Sequence, residues 1–349
     1  MKKRLLYGVL NWGLGHATRS TVLIRAMEEQ GFDLTLASDG EALAWLKREF
    51  PGRECLELPA YDIRYSEGED LLFTLIRQLP RLSATIEAEA NVLKKHLKAH
   101  PGRYNGLISD NRLGFYHASL PAVYISHQFN LKAGFLSPLA RWLHRFYWAR
   151  FDELWLPDTA EQQLSGSLSA LPAKFKCRYL GPLSRFRGEV HSGGDYYLGI
   201  VSGPPPQNQI FQDLLLAQAP DIGAPLYLAS PLEPPAELPP AVKFFHSPDS
   251  AQLETLIKKA RAVISRSGYS SIMDYGVMGA RALLVPTPGQ YEQQYLAQFH
   301  DEQGHYAAMQ QSKLDLAVGL IAAQRTGPLK IQAALPGDFL SLFEGERKG

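Results

Sequence analysis

Leu5-Leu6-Tyr7-Gly8-Val9-Leu10-Asn11-Trp12-Gly13-Leu14-Gly15-His16-Ala17-Thr18-Arg19 lies near the start of the chain. A stretch of the same plan recurs far downstream as Ala262-Val263-Ile264-Ser265-Arg266-Ser267-Gly268-Tyr269-Ser270-Ser271. Each reads as an apolar strand, a glycine-bearing turn and the start of a helix, a geometry that turns unpaired backbone N–H groups toward an anion. Two such units in one chain predict two nucleotide-fold domains facing across a cleft that holds the chemistry.

Outward from these stretches, short apolar runs alternate with helical patterns. Strands are predicted at Leu5–Leu10, Leu34–Ser38, Gly106–Ser109, Ala122–Ser126, Glu153–Pro157, Tyr196–Ser202, Leu226–Ala229, Val242–His246, Ala262–Ser265 and Ala282–Pro286. After His16, the residues Val22, Leu23, Ala26 and Met27 recur at helical spacing, with Gly31 as the stop. Asp249–Ala260 places Leu253, Leu256 and Ile257 on one helical face. Strands alternating with helices predict doubly wound parallel sheets, the α/β class. The expected boundary lies near residues 184–194, where the polar, glycine-bearing stretch Arg187–Gly194 falls, giving an acceptor-side domain over 1–186 and a donor domain over 187–349. Pro231–Pro240 reads as an extended surface connection.

The chain has 349 residues, 45% hydrophobic and 20% charged, an ordinary globular composition long enough for two cores. A net charge of +1 argues against a general nucleic-acid binder. Residues 1–187 hold 25 Lys and Arg against 19 Asp and Glu, and the remainder 11 against 16. That asymmetry fits either a basic half meeting an acidic partner or chance. Cys55 and Cys177 form no disulfide framework or metal cluster, which points to a reducing compartment. The N-terminal apolar run breaks at Asn11 with no small-residue cleavage site, so it reads as a buried strand rather than a secretory signal. No run reaches the ~18–20 apolar residues of a membrane span.

Gly13 and Gly15 permit a tight turn, and His16 then falls at a helix start. The helix dipole there disfavours imidazolium, leaving the neutral ring a general base needs. A histidine that merely caps the helix fits the same letters. Asp110-Asn111-Arg112 follows the strand Gly106–Ser109, where an open parallel sheet places its ligand crevice. Asp110 there could orient His16, or the segment could be a solvated turn. His127, after the next strand, is a weaker candidate base. In the second stretch, backbone N–H groups around Gly268, Tyr269 and Ser270 could hold a diphosphate. Arg266 could add charge, and Ser267, Ser270 and Ser271 hydroxyls. Asp274, a turn later, could accept from a ribose hydroxyl. Ala282–Pro286 leads into Thr287–Gln294, where Glu292, Gln293 and Gln294 suit sugar hydroxyls. Gly203, before Pro204-Pro205-Pro206, could form a further wall of the donor pocket.

Together these residues resemble the GT-B glycosyltransferases, in particular those similar to the N-acetylglucosaminyl transferase that completes lipid II (glycosyltransferase family 28). Asn11–Arg19 is similar to the family's His-containing first loop. Ser265–Asp274 is similar to its Ser-Arg-x-Gly donor loop, and Val285–Gln294 to its Gln-Gln segment. The resemblance implies that Asp274 grips the donor ribose, that Gln293 and Gln294 hold the sugar, and that backbone near Phe245 and His246 reads the base, usually uracil. It also implies a cell-envelope setting. Gly203-Pro204-Pro205-Pro206 departs from the family's glycine-rich loop, because proline removes N–H donors. Asn11-Trp12 departs too, and Trp12 could stack on a sugar or line the acceptor cleft.

Phe135–Phe151 interleaves Trp142, Phe146, Tyr147 and Trp148 with Arg141, His144, Arg145 and Arg150. That composition fits a helix lying on an anionic membrane face or a core helix with a basic edge. The expectation is therefore a cytoplasmic glycosyltransferase, peripheral at the inner membrane face. It would move sugar from a UDP-type nucleotide donor to a glycan, lipid or small-molecule hydroxyl, with inversion and with neither metal nor cofactor. The alternatives are a nucleotide-sugar 2-epimerase or hydrolase on the same fold, or a non-catalytic sugar-nucleotide binder.

Overall fold

The alternation of apolar runs and helical patterns folds as two separate parallel sheets. The computed structural model describes residues 2–61, 71–131, 137–187 and 194–345. They fall into two units, Met1–Leu183 with Ala334–Gly349, and Ser184–Ala333.

The first unit runs β1 (Arg4–Val9), α1 (Leu14–Glu29), β2 (Asp33–Ser38), α2 (Gly40–Glu49), β3 (Cys55–Glu57), α3 (Leu71–Ala99), β4 (Gly106–Asp110), β5 (Ala122–Ile125), α4 (Ser137–Trp148), β6 (Glu153–Leu156) and β7 (Cys177–Tyr179). Its sheet has the order β3-β2-β1-β4-β5-β6-β7, and every pairing is parallel. Strands β4, β5 and β6 are buried at every residue, as a sheet covered on both faces requires. Helix α1 buries Leu23, Ile24 and Met27, each worth about 1.5–3 kcal/mol of apolar burial. Gly31 follows its last turn, its N–H donating to the Glu28 carbonyl at 2.9 Å. Cys55 and Cys177 lie on opposite edge strands, and both are free thiols.

The second unit runs β8 (Tyr196–Ile200), α5 (Gln207–Gln218), β9 (Leu226–Ser230), β10 (Val242–His246), α6 (Ser250–Lys259), β11 (Ala260–Ser265), α7 (Tyr269–Met278), β12 (Ala282–Leu284), α8 (Tyr291–Glu302), β13 (Ala307–Ala308) and α9 (Leu316–Arg325). Its sheet order, β10-β9-β8-β11-β12-β13, repeats the first unit's plan in parallel strands. Helix α6 starts with a capping box. The Asp249 carboxylate accepts from Gln252 N at 2.8 Å, and the Gln252 side chain accepts from Asp249 N at 3.3 Å.

Three edge strands, β3, β7 and β13, escape the sequence reading because runs of two or three residues carry no periodicity. The units part at Leu183 and Ser184, at the near edge of the expected 184–194 boundary, and 188–193 lie outside the described residues. The C-terminal segment belongs to the first unit, whereas the sequence reading assigns it to the donor domain. The physical reason is aromatic burial. Phe339 and Phe343 are buried against Trp155, with ring centroids at 5.7 and 6.2 Å. Helix α10 (Ser341–Glu344) is tied by Arg178, whose Nη2 donates to Ser341 Oγ at 3.1 Å.

In both sheets the strand order reverses between the first and fourth strands, at β1/β4 and at β8/β11. Residues just past the carboxyl ends of those strands flank the crevice where such sheets take their ligands.

Candidate active site

Gly13 takes φ 68° and caps α1 without a side-chain hydrogen bond. It makes the turn by itself. Gly15 is already in the first helical turn rather than in the loop. His16, one residue on, is aimed at the end of β4. Its Nδ1 lies 2.8 Å from Asp110 Oδ1. Asp110 is fully buried, which rules out a solvated turn. It also accepts from Arg19 Nε at 2.9 Å, from Arg19 Nη2, and from Ser20 Oγ at 2.9 Å. Arg19 Nη1 reaches His127 Nδ1 at 3.2 Å, so His127 is held in the fold at that nitrogen. In the tautomer with its proton on Nδ1, His16 donates to Asp110, and the Nε2 lone pair is the one left to accept.

The electrostatics suit that role. Burial, then the Arg19 charge, push the His16 pKa down, while Asp110 opposes them. The dipole expected from sequence is not what dominates. Burial alone would raise the Asp110 carboxyl, but Arg19 and His16 hold it well below the usual carboxylate range. The imidazole is thus neutral and the carboxylate beside it ionised at neutral pH.

Beside this pair sits a second buried network. Arg112 is fully buried; its guanidinium meets Glu89, Asp39 Oδ1 at 2.5 Å and the Pro59 carbonyl at 2.7 Å. Asn11 donates to Asp39 Oδ2 at 3.1 Å and accepts from Ala42 N at 3.2 Å. The network ties the ends of β1, β2 and β4 together beneath the His16 loop. Trp12 and Leu14 stay 37% and 40% exposed beside it.

In the second unit, Gly268 caps α7 with φ −70° and no side-chain cap. That backbone does not need glycine, yet a Cβ there would meet nothing within 4 Å. The missing side chain keeps open space before the helix N-terminus. Ser270 and Ser271 are partly exposed in the first turn. Several neighbours predicted to bind donor are held in the fold instead. Arg266 is buried, donating to the Val285 carbonyl at 3.2 Å and the Gln207 carbonyl at 2.8 Å, over the Phe211 ring at 4.2 Å. Ser267 Oγ donates to the Gln293 carbonyl at 2.7 Å. The Tyr269 side chain is buried. The sequence placed these residues at the strand end correctly but could not show that their side chains turn inward.

Asp274 Oδ1 accepts from Ser184 Oγ at 2.6 Å. Burial raises its pKa to about 6. Gln293 braces the Thr287–Gln294 turn, accepting from Thr287 N at 2.9 Å and donating to Gln290 Oε1 at 2.6 Å. Gln294 is exposed, and Glu292 partly so. Phe245 and His246 end the edge strand β10, where His246 Nδ1 lies 3.0 Å from the Leu232 carbonyl. At the Gly203 turn, the N–H groups of Asn208, Gln209 and Ile210 bond within the loop and α5. The proline-filled loop offers few donors, as its sequence implies.

Helix α4 buries one face and exposes aromatic side chains on the other. Trp148 is buried on Phe129 and Phe175, with centroids at 5.3 and 4.8 Å. His144 is held neutral by burial, its pKa lowered to about 4. On the other face Trp142 and Phe146 are 65% and 71% exposed. Arg145 and Arg150 lie over the Phe175 and Tyr116 rings rather than forming a free basic edge. Phe135 and Leu136 lie outside the described residues. Among the described residues no helix is long and apolar enough to cross a membrane, and no group of three His, Cys, Asp or Glu could hold a metal ion.

The residues missed in sequence are Arg19 and Ser20. The signal was present, because His16, Arg19 and Ser20 sit at i, i+3 and i+4 and share one face of α1.

Residues 244–327 match the glycosyltransferase family 28 C-terminal domain. No curated protein matches the chain. Among solved structures it is similar to the glycotransferase of kitacinnamycin, with TM-score 0.67, 15% identity, and coverage of 93% of this chain and 91% of that one. The calicheamicin glycosyltransferase CalG4 gives TM-score 0.63 and 15% identity over 94% of this chain and 90% of that one. MurG of Acinetobacter baumannii gives 0.56 and 13% over 94% and 96%. At these identities the likeness establishes the fold, GT-B, and the matched segment contains α7, the Gly268 turn and Asp274. Residues 244–327 thus carry a glycosyltransferase family 28 C-terminal domain, on a chain whose fold is GT-B.

Proposed function

We propose that the protein transfers a sugar from a nucleoside diphosphate, UDP in particular, to an acceptor hydroxyl, with inversion and without a metal ion or cofactor. The observation that carries this reading is the His16–Asp110 pair at the switch point of the first sheet, with the carboxylate on Nδ1 and the ring neutral. In this mechanism His16 Nε2 takes the acceptor proton as its oxygen attacks the anomeric carbon. The bond to the diphosphate breaks with its electron pair, and Asp110 stabilises the imidazolium. The uncapped N–H groups of α7 take the growing diphosphate charge. Asp274 binds the ribose, Gln294 and Glu292 the sugar, and the end of β10 the base. UGT89C1 of Arabidopsis thaliana, similar in fold, has been solved in complex with UDP-L-rhamnose, which supports a UDP donor.

Trp12 and Leu14, exposed beside the base, favour an acceptor with an apolar face. The exposed Trp142 and Phe146 support a cytoplasmic protein resting on an anionic membrane surface. An epimerase would need further carboxylates near the base. Asp39 and Glu89 are instead buried on Arg112.

The test is His16→Ala assayed against a panel of UDP-sugars and hydroxyl acceptors, with and without EDTA. Donor-dependent transfer should fall about 10²–10⁴-fold while UDP binding persists, and EDTA should change nothing. Transfer near the wild-type rate in His16→Ala would discard the base, and loss on chelation would discard the metal-free route.

A further inference from the structure

We propose that Arg19 is a positioning residue for the transfer, a clamp that fixes Asp110 so that His16 is held with its proton on Nδ1 and its Nε2 lone pair outward. This deepens the reading of His16 as the base and rests on it.

A carboxylate has about four acceptor positions, and Asp110 fills them from one helix face. Oδ1 meets His16 Nδ1 and Arg19 Nη2, while Oδ2 meets Arg19 Nε and Ser20 Oγ. The Arg19 contact is the bidentate fork, which fixes the carboxylate plane as well as its charge. Nη1 adds a third anchor on His127 beyond the end of β5, and Tyr7 OH braces Ser20 Oγ at 3.3 Å from β1. Arg19 is only 3% exposed, and each of its nitrogens meets a protein group. It presents no fork to a phosphate, so a substrate contact does not explain it.

Two consequences follow from this geometry. With the carboxylate unable to rotate, Oδ1 stays on Nδ1 and selects one tautomer of His16. Arg19 Nη2 also lies 2.8 Å from Nδ1; with the proton on that nitrogen the contact is between two donors rather than a hydrogen bond, and the Arg19 charge resists further protonation of the ring and offsets the pull of Asp110. The groups that face His16 are therefore Asp110 from β4, Arg19 from its own helix and His127 from the segment after β5. Tyr7 and Tyr124 stand behind them, coupled to Asp110 and Arg19. A histidine beside an unclamped carboxylate would become a stronger base and an ill-oriented one.

The test uses the full chain with 15N-labelled histidine, comparing wild type, Arg19→Gln and Arg19→Lys. Ring 15N shifts report the tautomer and titration of His16 without any substrate, with His16→Ala supplying the assignment. Wild type should show the Nδ1–H tautomer alone. Arg19→Gln should show mixed tautomers and a titration midpoint raised by about one pH unit, the scale a neighbouring charge imposes. Its kcat should fall about 100-fold, with the UDP Kd unchanged. Arg19→Lys restores charge without the fork, so its midpoint should return while the tautomers stay mixed. A wild-type tautomer and midpoint in Arg19→Gln overturn the clamp. If that variant does not fold, a single Nδ1–H tautomer with wild-type kcat in Arg19→Lys overturns it. Should His16→Ala remain active while the spectra behave as stated, the base assignment fails and the clamp stands.

Discussion

Asp110→Asn joins stability to catalysis at one atom group. The carboxylate is fully buried and accepts from His16, Arg19 and Ser20. Asparagine keeps the shape but replaces one acceptor oxygen with a donor, so an N–H group must face His16 Nδ1–H or the Arg19 fork. Arg19, 3% exposed, would then be a buried charge without its counter-ion, a loss of about 3–5 kcal/mol. For a unit of this size each kcal/mol moves Tm by about 2–4 °C, so a drop of about 6–20 °C is expected. Transfer should fall as well, because the ring loses its tautomer. The same change costs about 10⁴ in the Ser-His-Asp hydrolases, and about 10³–10⁴ is expected here. His16→Asn is the control: it removes the base but leaves Asp110 with Arg19, so activity should vanish with Tm within a few degrees of wild type. The pH dependence has a definite sign. The folded Asp110 pKa is depressed below its unfolded value of about 3.9. Its contribution is therefore present above pH ~4–5 and lost as pH falls toward the lower folded pKa. Denaturant melts from pH 3 to 8 should show a constant gap between wild type and Asp110→Asn that closes only in acid. A variant with wild-type Tm and wild-type rate would refute the reasoning.

Three further outcomes are expected. Gly268→Val fits the extended backbone at φ −70° and open space, so its Tm should hold, while UDP affinity by calorimetry should fall about 10- to 100-fold through lost phosphate contacts at ~1.5–3 kcal/mol each. Asp274, raised to about 6 by burial, adds stability below its unfolded pKa of about 3.9 that is lost as pH rises through about 6; Asp274→Asn should therefore raise Tm at pH 8 but not at pH 4, while weakening donor binding. Trp142→Ser with Phe146→Ser alters side chains 65% and 71% exposed, so melting should shift by less than ~1 kcal/mol, and co-sedimentation with anionic vesicles should drop.

Much of the fold was legible because a parallel sheet covered on both faces leaves continuous apolar runs. Val9-Leu10 before Gly13 and Ile264-Ser265 before Gly268 announce strand ends with helix starts. The short edges β3, β7 and β13 were not legible, since two or three residues have no period. Nor was the return of the C-terminus, which depends on Phe339 and Phe343 finding Trp155.

The sequence by itself determined which residues gather at strand ends and helix starts: Asp110 at the end of β4, His16 in the first turn of α1 and Gly268 before α7. Local backbone rules suffice for that, because a turn glycine and a helix start are encoded within a few residues. Only the tertiary structure decided which side chains face a ligand and which hold the fold. Arg266, Ser267 and Gln293 turn inward onto carbonyls, amides and neighbouring side chains, and Arg19 closes on a carboxylate 91 residues away in the chain. A polar side chain that leaves water must take whatever partner the packing brings within reach, and neighbours distant in sequence supply that partner.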